Sequence, residues 1–161
     1  MFDLKFAKNP ILVDDLPLHQ MQGKFMELRV NNQLDEQTEM LIRTIIGAAI
    51  DVHRELGPGY LEKVYEQAMA IELRYRGLDF ATQVPVAVHY KGEKIHGQVL
   101  DMVVEGKVIL ELKSVEVLLP IHEAQILSYL KSTGLLAGLL INFKEKLVKD
   151  GIKRFVQSKH G

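Results

Sequence analysis

The sequence predicts an α/β fold, a mixed sheet with an antiparallel three-strand meander flanked by helices. Three observations carry this. The apolar pattern is helical between Asp35 and Gly77, then turns twofold between Phe80 and Lys113. A helix opened by Pro120 is followed by the short apolar run Leu135–Phe143, which suits a buried strand. The composition is globular: 161 residues, 47% hydrophobic and 25% charged, enough for one domain with a core.

Each element has its own signal. Leu41, Ile45, Ala48, Ala49, Val52 and Leu56 recur at three and four residues, with Asp35 or Thr38 able to cap the helix. Gly57-Pro58-Gly59 stops it, because proline cannot continue a helix and glycine accepts the left-handed turn. A second stripe, Leu61, Val64, Tyr65, Ala68, Ile71 and Tyr75, ends at Gly77. Phe80–Tyr90 alternates as a strand, and Pro85 places it at a sheet edge or at a bulge. A turn at Lys91-Gly92-Glu93 leads into a strand over Lys94–Val104, and Glu105-Gly106 turns into a third that ends at Lys113. The Pro120 helix runs to Gly134, and Ile152–Val156 forms one more strand. Residues 1–34 read as an N-terminal extension of uncertain structure, with a short strand at Phe25–Val30; residues 35–161 read as the domain.

The composition also excludes functions. There is no cysteine, hence no disulfide, thiolate metal site or cysteine nucleophile. No stretch resembles a membrane span, and the N-terminus has no signal-peptide pattern, so a cytoplasmic protein is expected. The histidines show no HExxH pair, the serines no glycine elbow, and no phosphate-binding glycine loop occurs. Net charge is -1, which argues against binding nucleic acid by bulk charge. The charge is uneven, however: Lys144–Gly161 holds six Lys/Arg against two acids, a solvated face or a phosphate contact.

Chemistry concentrates on the hairpin GQVLDMVVEGKVILELK. Glu111 and Lys113 are two apart on a strand and share a face. A two-residue turn at Glu105-Gly106 sets Asp101 opposite Leu110, on the other face. A three-residue turn that includes Lys107 sets it opposite Glu111. Charges in so apolar a hairpin are costly unless paired or bound to a metal. A buried ion pair is the plain reading of the residues taken alone. Glu62 opens the second helix, where a glutamate also suits the helix dipole. Gln125 and Tyr129 share one face of the Pro120 helix.

Taken in order, these residues resemble a known family. LGPGYLEKVYE, LDMVVEGKVILELKSVE, HEAQILSYLKSTG and GLLINF resemble the GxxExxY family of the PD-(D/E)xK nuclease superfamily, from about Met40 to Val156. The resemblance implies a restriction-endonuclease-like core. It implies that Asp101, Glu111 and Lys113 are the motif residues, and that Glu62 is the helix acid. Gln125 and Tyr129 resemble the Q-x-x-x-Y element of RecB-type nucleases. Leu100 stands where the superfamily name has proline.

The expected activity is a nuclease dependent on Mg²⁺ or Mn²⁺, acting on nucleic acid, DNA rather than RNA. Asp101, Glu111 and the Leu112 carbonyl would hold the metal, with Glu62 as a third or water-mediated acid. Lys113 would orient or deprotonate the attacking water. Gln125 would orient the water, the lysine or a phosphate, and Tyr129 would support Gln125 or touch the nucleic-acid backbone. The alternative is a non-catalytic module that binds nucleic acid or protein on the same fold. A homodimer or a protein partner is left open.

Overall fold

The computed structural model describes residues 34–157. The expectations for the N-terminal extension, including the Phe25–Val30 strand, lie outside the described residues. Two helices, α1 (Glu36–Leu56) and α2 (Glu62–Tyr75), precede the strands β1 (Phe80–Tyr90), β2 (Glu93–Val104) and β3 (Val108–Lys113). Helix α3 (Pro120–Thr133), strand β4 (Ala137–Asn142), a 3-10 turn (Val148–Gly151) and β5 (Ile152–Val156) follow.

The strands form one five-stranded sheet in the order β1-β2-β3-β4-β5. All neighbours are antiparallel except β3 and β4, which pair in parallel from Val108↔Ala137 to Lys113↔Asn142. That parallel pair requires a crossover, and α3 supplies it. The fold is the mixed α/β sheet with a three-strand meander that the sequence predicts.

Each boundary has a local cause. The Asp35 side chain caps α1 by accepting the Thr38 N–H at 2.7 Å, so Asp35 is the cap. Gly57 ends α1 at φ 71° and Gly134 ends α3 at φ 73°, backbone that glycine adopts without a Cβ clash. Pro120 sits in the first turn of α3. Behind it, His122 Nδ1 accepts the Leu119 N–H at 3.0 Å, a capping role for that histidine.

The helices cover both faces of the sheet. On one face α1 and α2 bury Ile45, Val52, Tyr65 and Met69 against Met102, Leu110, Leu112 and Ile141. On the other, Ile126, Tyr129 and Leu130 of α3 pack on Leu100, Ile109 and Leu140. All six residues of β4 are buried, as its continuous apolar run requires.

Strand β1 is the edge that Pro85 implies, and the irregularity lies beside the proline, between Val86 and Val88. Further back, Gln83 takes a left-handed backbone at φ 50°. There both strands of the ribbon change face. Phe80, Met102 and Val104 pack toward α1 and α2, whereas Val84, Val86 and Leu100 pack toward α3.

Candidate active site

The register between β2 and β3 decides whether a site exists. The pairs are Met102↔Leu110, Val103↔Ile109 and Val104↔Val108. The turn therefore holds three residues, Glu105, Gly106 and Lys107, with Glu105 and Gly106 left-handed at φ 53° and 62°. This is the register that turns Asp101 toward Glu111. The ladder stops at Met102, and beyond it the Asp101 side chain takes over: its Oδ2 accepts the Leu112 N–H at 2.8 Å. The carboxylate thus ties the two strands where they part, one residue from Glu111.

Glu111 is 2% exposed. Its Oε1 accepts from Lys113 Nζ at 3.2 Å, and the Lys113 side chain is itself only 13% exposed. Glu111 Oε2 is buried and has no hydrogen-bond partner. Such an atom is costly in a folded protein. Burial, then the neighbouring Asp101 charge, push the Glu111 carboxyl up from 4.5 to about 7, against the pull of Lys113 and of the nearby Asp101 backbone N–H. Burial also raises Asp101, opposed by the Leu112 N–H and by Lys113.

The turn before α2 brings Glu62 to the same place. The Tyr65 hydroxyl donates to the Gly57 carbonyl at 2.5 Å and accepts the N–H groups of Gly59 and Tyr60 at 3.0 and 3.2 Å. Its ring stacks on Phe143, centroids 4.4 Å apart. One buried side chain so closes the Gly57–Tyr60 loop and fixes where α2 begins. Ser114 Oγ donates to the Tyr60 carbonyl at 2.8 Å, joining this loop to the end of β3. Glu62 is half-buried, raised chiefly by burial and drawn back by Lys113, with Asp101 raising it and a hydrogen bond from the Ser114 backbone lowering it.

Gln125 and Tyr129 share the α3 face expected of them, but they face each other. Gln125 Nε2 donates to the Tyr129 hydroxyl at 3.0 Å, and that hydroxyl donates to the Val99 carbonyl at 2.8 Å. Tyr129 is 2% exposed, and its hydroxyl ties α3 to the strand two residues before Asp101. Burial raises its hydroxyl, Gln125 opposes this, and the charges of Glu111 and Asp101 add to the rise.

Three supporting residues escape a reading of the sequence. Asn142 donates to the Val115 carbonyl at 2.8 Å and accepts the Val115 N–H at 3.0 Å, pinning the chain just past Lys113. Glu66 lies one turn after Glu62, is raised chiefly by burial and then by Asp101, and accepts from Gln83 Nε2 at 2.8 Å. The i, i+4 spacing of Glu62 and Glu66 is the one signal that could have found it. Asn142 and Gln83 carry no such signal, since their partners lie 27 and 17 residues away.

Three cations of the basic tail are held in ion pairs. Lys144 pairs with Glu116 and Lys153 with Glu123, and Arg154 grips both Glu39 oxygens at 2.5 and 2.9 Å. These three side chains are thus neither a plain solvated face nor free cations; each is tied to an acid of another element.

Among the described residues no group of three or more His, Asp or Glu side chains is arranged to hold a metal ion. What the site offers instead is a pair, Asp101 and Glu111, with one buried oxygen unpartnered. Magnesium keeps several waters and takes one or two carboxylates, so the donor set fits it. Among the described residues no helix is long and apolar enough to cross a membrane.

A family model described as the PD-(D/E)XK nuclease superfamily matches residues 39–155. That span includes every residue of the site. Comparison with curated proteins and with solved structures returns no match.

Proposed function

The chain belongs to the PD-(D/E)XK nuclease superfamily, and we propose that it is a divalent-metal-dependent nuclease hydrolysing phosphodiester bonds of nucleic acid, DNA rather than RNA. The observation that carries this is the buried, unpartnered Glu111 Oε2 beside the Asp101 carboxylate. A purely structural Glu111–Lys113 pair has no use for the second oxygen, nor for another acid next to it. A cation satisfies both.

When bound, Mg²⁺ or Mn²⁺ supplies Lewis acidity against phosphoryl charge. Asp101, Glu111 and the Leu112 carbonyl would hold it, and Glu62 would reach it through water. Lys113 would orient the attacking water with Nζ and lend its charge to the phosphoryl oxygens. Gln125 and Tyr129 act one step back, as positioning residues that keep Val99 and therefore Asp101 in place. The finer placement in the GxxExxY family is supported by the run Gly59–Tyr65, in which Tyr65 closes the loop that presents Glu62.

The test is cleavage of single-stranded DNA, duplex DNA and RNA, with and without Mg²⁺ or Mn²⁺. Metal-dependent cutting of DNA that Lys113→Ala abolishes is expected. If Lys113→Ala cuts as fast as wild type, that lysine's role is wrong. If calorimetry detects no divalent-ion binding even with DNA present, the site is misassigned and the module is a binder.

A further inference from the structure

The outer half of the β1–β2 ribbon belongs to no part of the packed domain. β2 pairs with β3 only over Met102–Val104, so among the described residues β1 alone partners its Glu93–Leu100 stretch. The root is anchored, since Val84, Val86 and Leu100 pack on α3. Every residue from His89 to Gly97 is exposed. A free two-stranded ribbon is marginal in water, and this one reaches about 26 Å from Asp101 to Glu93 at ~3.3 Å per residue.

Its chemistry is one-sided. Between Val84 and Leu100 lie Lys91, Lys94, His89 and His96 against a single acid, Glu93. Neither lysine forms an ion pair among the described residues, in contrast to Lys144, Lys153 and Arg154. Tyr90 is 63% exposed, with Lys91 Nζ 5.6 Å from its ring centroid.

The turn carries a second observation. Lys91 and Gly92 have φ 50° and 82°, a two-residue hairpin turn with both central residues left-handed. Asn, Asp or Gly is favoured at the first of these positions, and a lysine there is strained. A lysine at a left-handed position on an exposed tip, where no packing calls for it, points to a use outside the fold.

We infer that the ribbon is an arm that enters the major groove of duplex DNA, with Lys91 and Lys94 on phosphates. The inference rests on the nuclease reading and extends it to a substrate form. The major groove of B-form DNA admits a two-stranded ribbon, whereas the deep, narrow major groove of duplex RNA does not. Asp101 stands at the ribbon's root, so an arm in the groove places the duplex beside the carboxylates.

The test uses the full chain with Lys91→Asn combined with Lys94→Gln. Asparagine suits the turn better than lysine, so the hairpin is kept while two charges go. Binding of a fluorescent DNA duplex is followed by anisotropy in EDTA, from about 50 to 200 mM salt. The variant is expected to bind about tenfold more weakly near 100 mM salt, with its salt dependence shallower by about 2. Unchanged affinity and slope would overturn the arm and leave the lysines as guards of an open strand edge. So would wild-type protein that does not bind the duplex, or an equal loss on duplex RNA. Cleavage in Mg²⁺ separates the two readings. A wild type that binds through the arm yet cuts nothing defeats the nuclease reading alone. A wild type that cuts, with a variant that binds as well, defeats the arm alone.

Discussion

Glu111→Gln should make the metal-free protein more stable while abolishing its activity. The Glu111 carboxyl is raised from 4.5 to about 7 by burial and by Asp101. The folded protein therefore holds this proton to higher pH than the unfolded chain does. Between the two values the folded state binds more protons, so stability falls as pH rises. Below pH 4.5 the penalty is absent, and above about 7 it is complete. At about 1.4 kcal/mol per pH unit, the interval amounts to about 3 kcal/mol. Glutamine keeps an oxygen for Lys113 Nζ and cannot ionise. In EDTA, urea unfolding should find variant and wild type close at pH 5, and the variant about 3 kcal/mol more stable at pH 8. Adding Mg²⁺ at about 100 times its Kd should return ~2.7 kcal/mol to the wild type and much less to the variant. Parallel pH profiles for the two proteins, or a variant weaker at pH 8, would refute the claim that burial of this carboxylate outweighs its pairing with Lys113.

Three further outcomes follow from the geometry. Tyr65→Phe keeps the stack on Phe143 but removes the hydroxyl that closes the Gly57–Tyr60 loop. It should cost about 1–3 kcal/mol in urea unfolding and lower the cleavage rate of the folded fraction through Glu62. A Cβ at Gly151 would stand 2.5 Å from the Asn142 carbonyl and 2.7 Å from Glu145 Cγ. Gly151→Ala should therefore destabilise by about 1–3 kcal/mol, read as a fall in melting temperature. Tyr129→Phe releases the Val99 carbonyl while the aromatic packing stays. Its cleavage rate should fall, and the metal concentration needed for half-maximal activity should rise, because Asp101 is less firmly held. An unchanged metal requirement would limit Tyr129 to packing.

Much of the fold was legible because it rests on periodicity and punctuation. The switch at Phe80, the Gly57-Pro58-Gly59 break and Pro120 each act locally, and each stands where the structure has a boundary. The register of the hairpin was not decidable, because Glu105-Gly106 reads naturally as a two-residue turn. In the structure Glu105 and Gly106 do make a tight turn, closed by the Lys107 N–H on the Val104 carbonyl, and Lys107 is the extra residue that shifts the register to Val104↔Val108. The acids and lysine of the site stand out as charges in an apolar hairpin. Their supports do not, since a buried polar side chain announces nothing until its partner is known. Asn142 finds Val115, Tyr65 finds Gly57, and Arg154 finds Glu39 across 115 residues. Through that last contact one cation of the basic run, Arg154, clasps β5 to α1.

The three-pair seam between β2 and β3 has a dynamic consequence. Asp101 stands at the ribbon's root, whereas Glu111 and Lys113 stand on the strand paired with β4. At this point the two elements are joined by the Asp101 side chain on the Leu112 N–H, and amide exchange should be faster at the ribbon end of β2 than in β4. A cation or phosphate that touches both carboxylates would add a second tie between these strands. Occupancy and rigidity are then one equilibrium, and the site would tighten across the sheet as it fills.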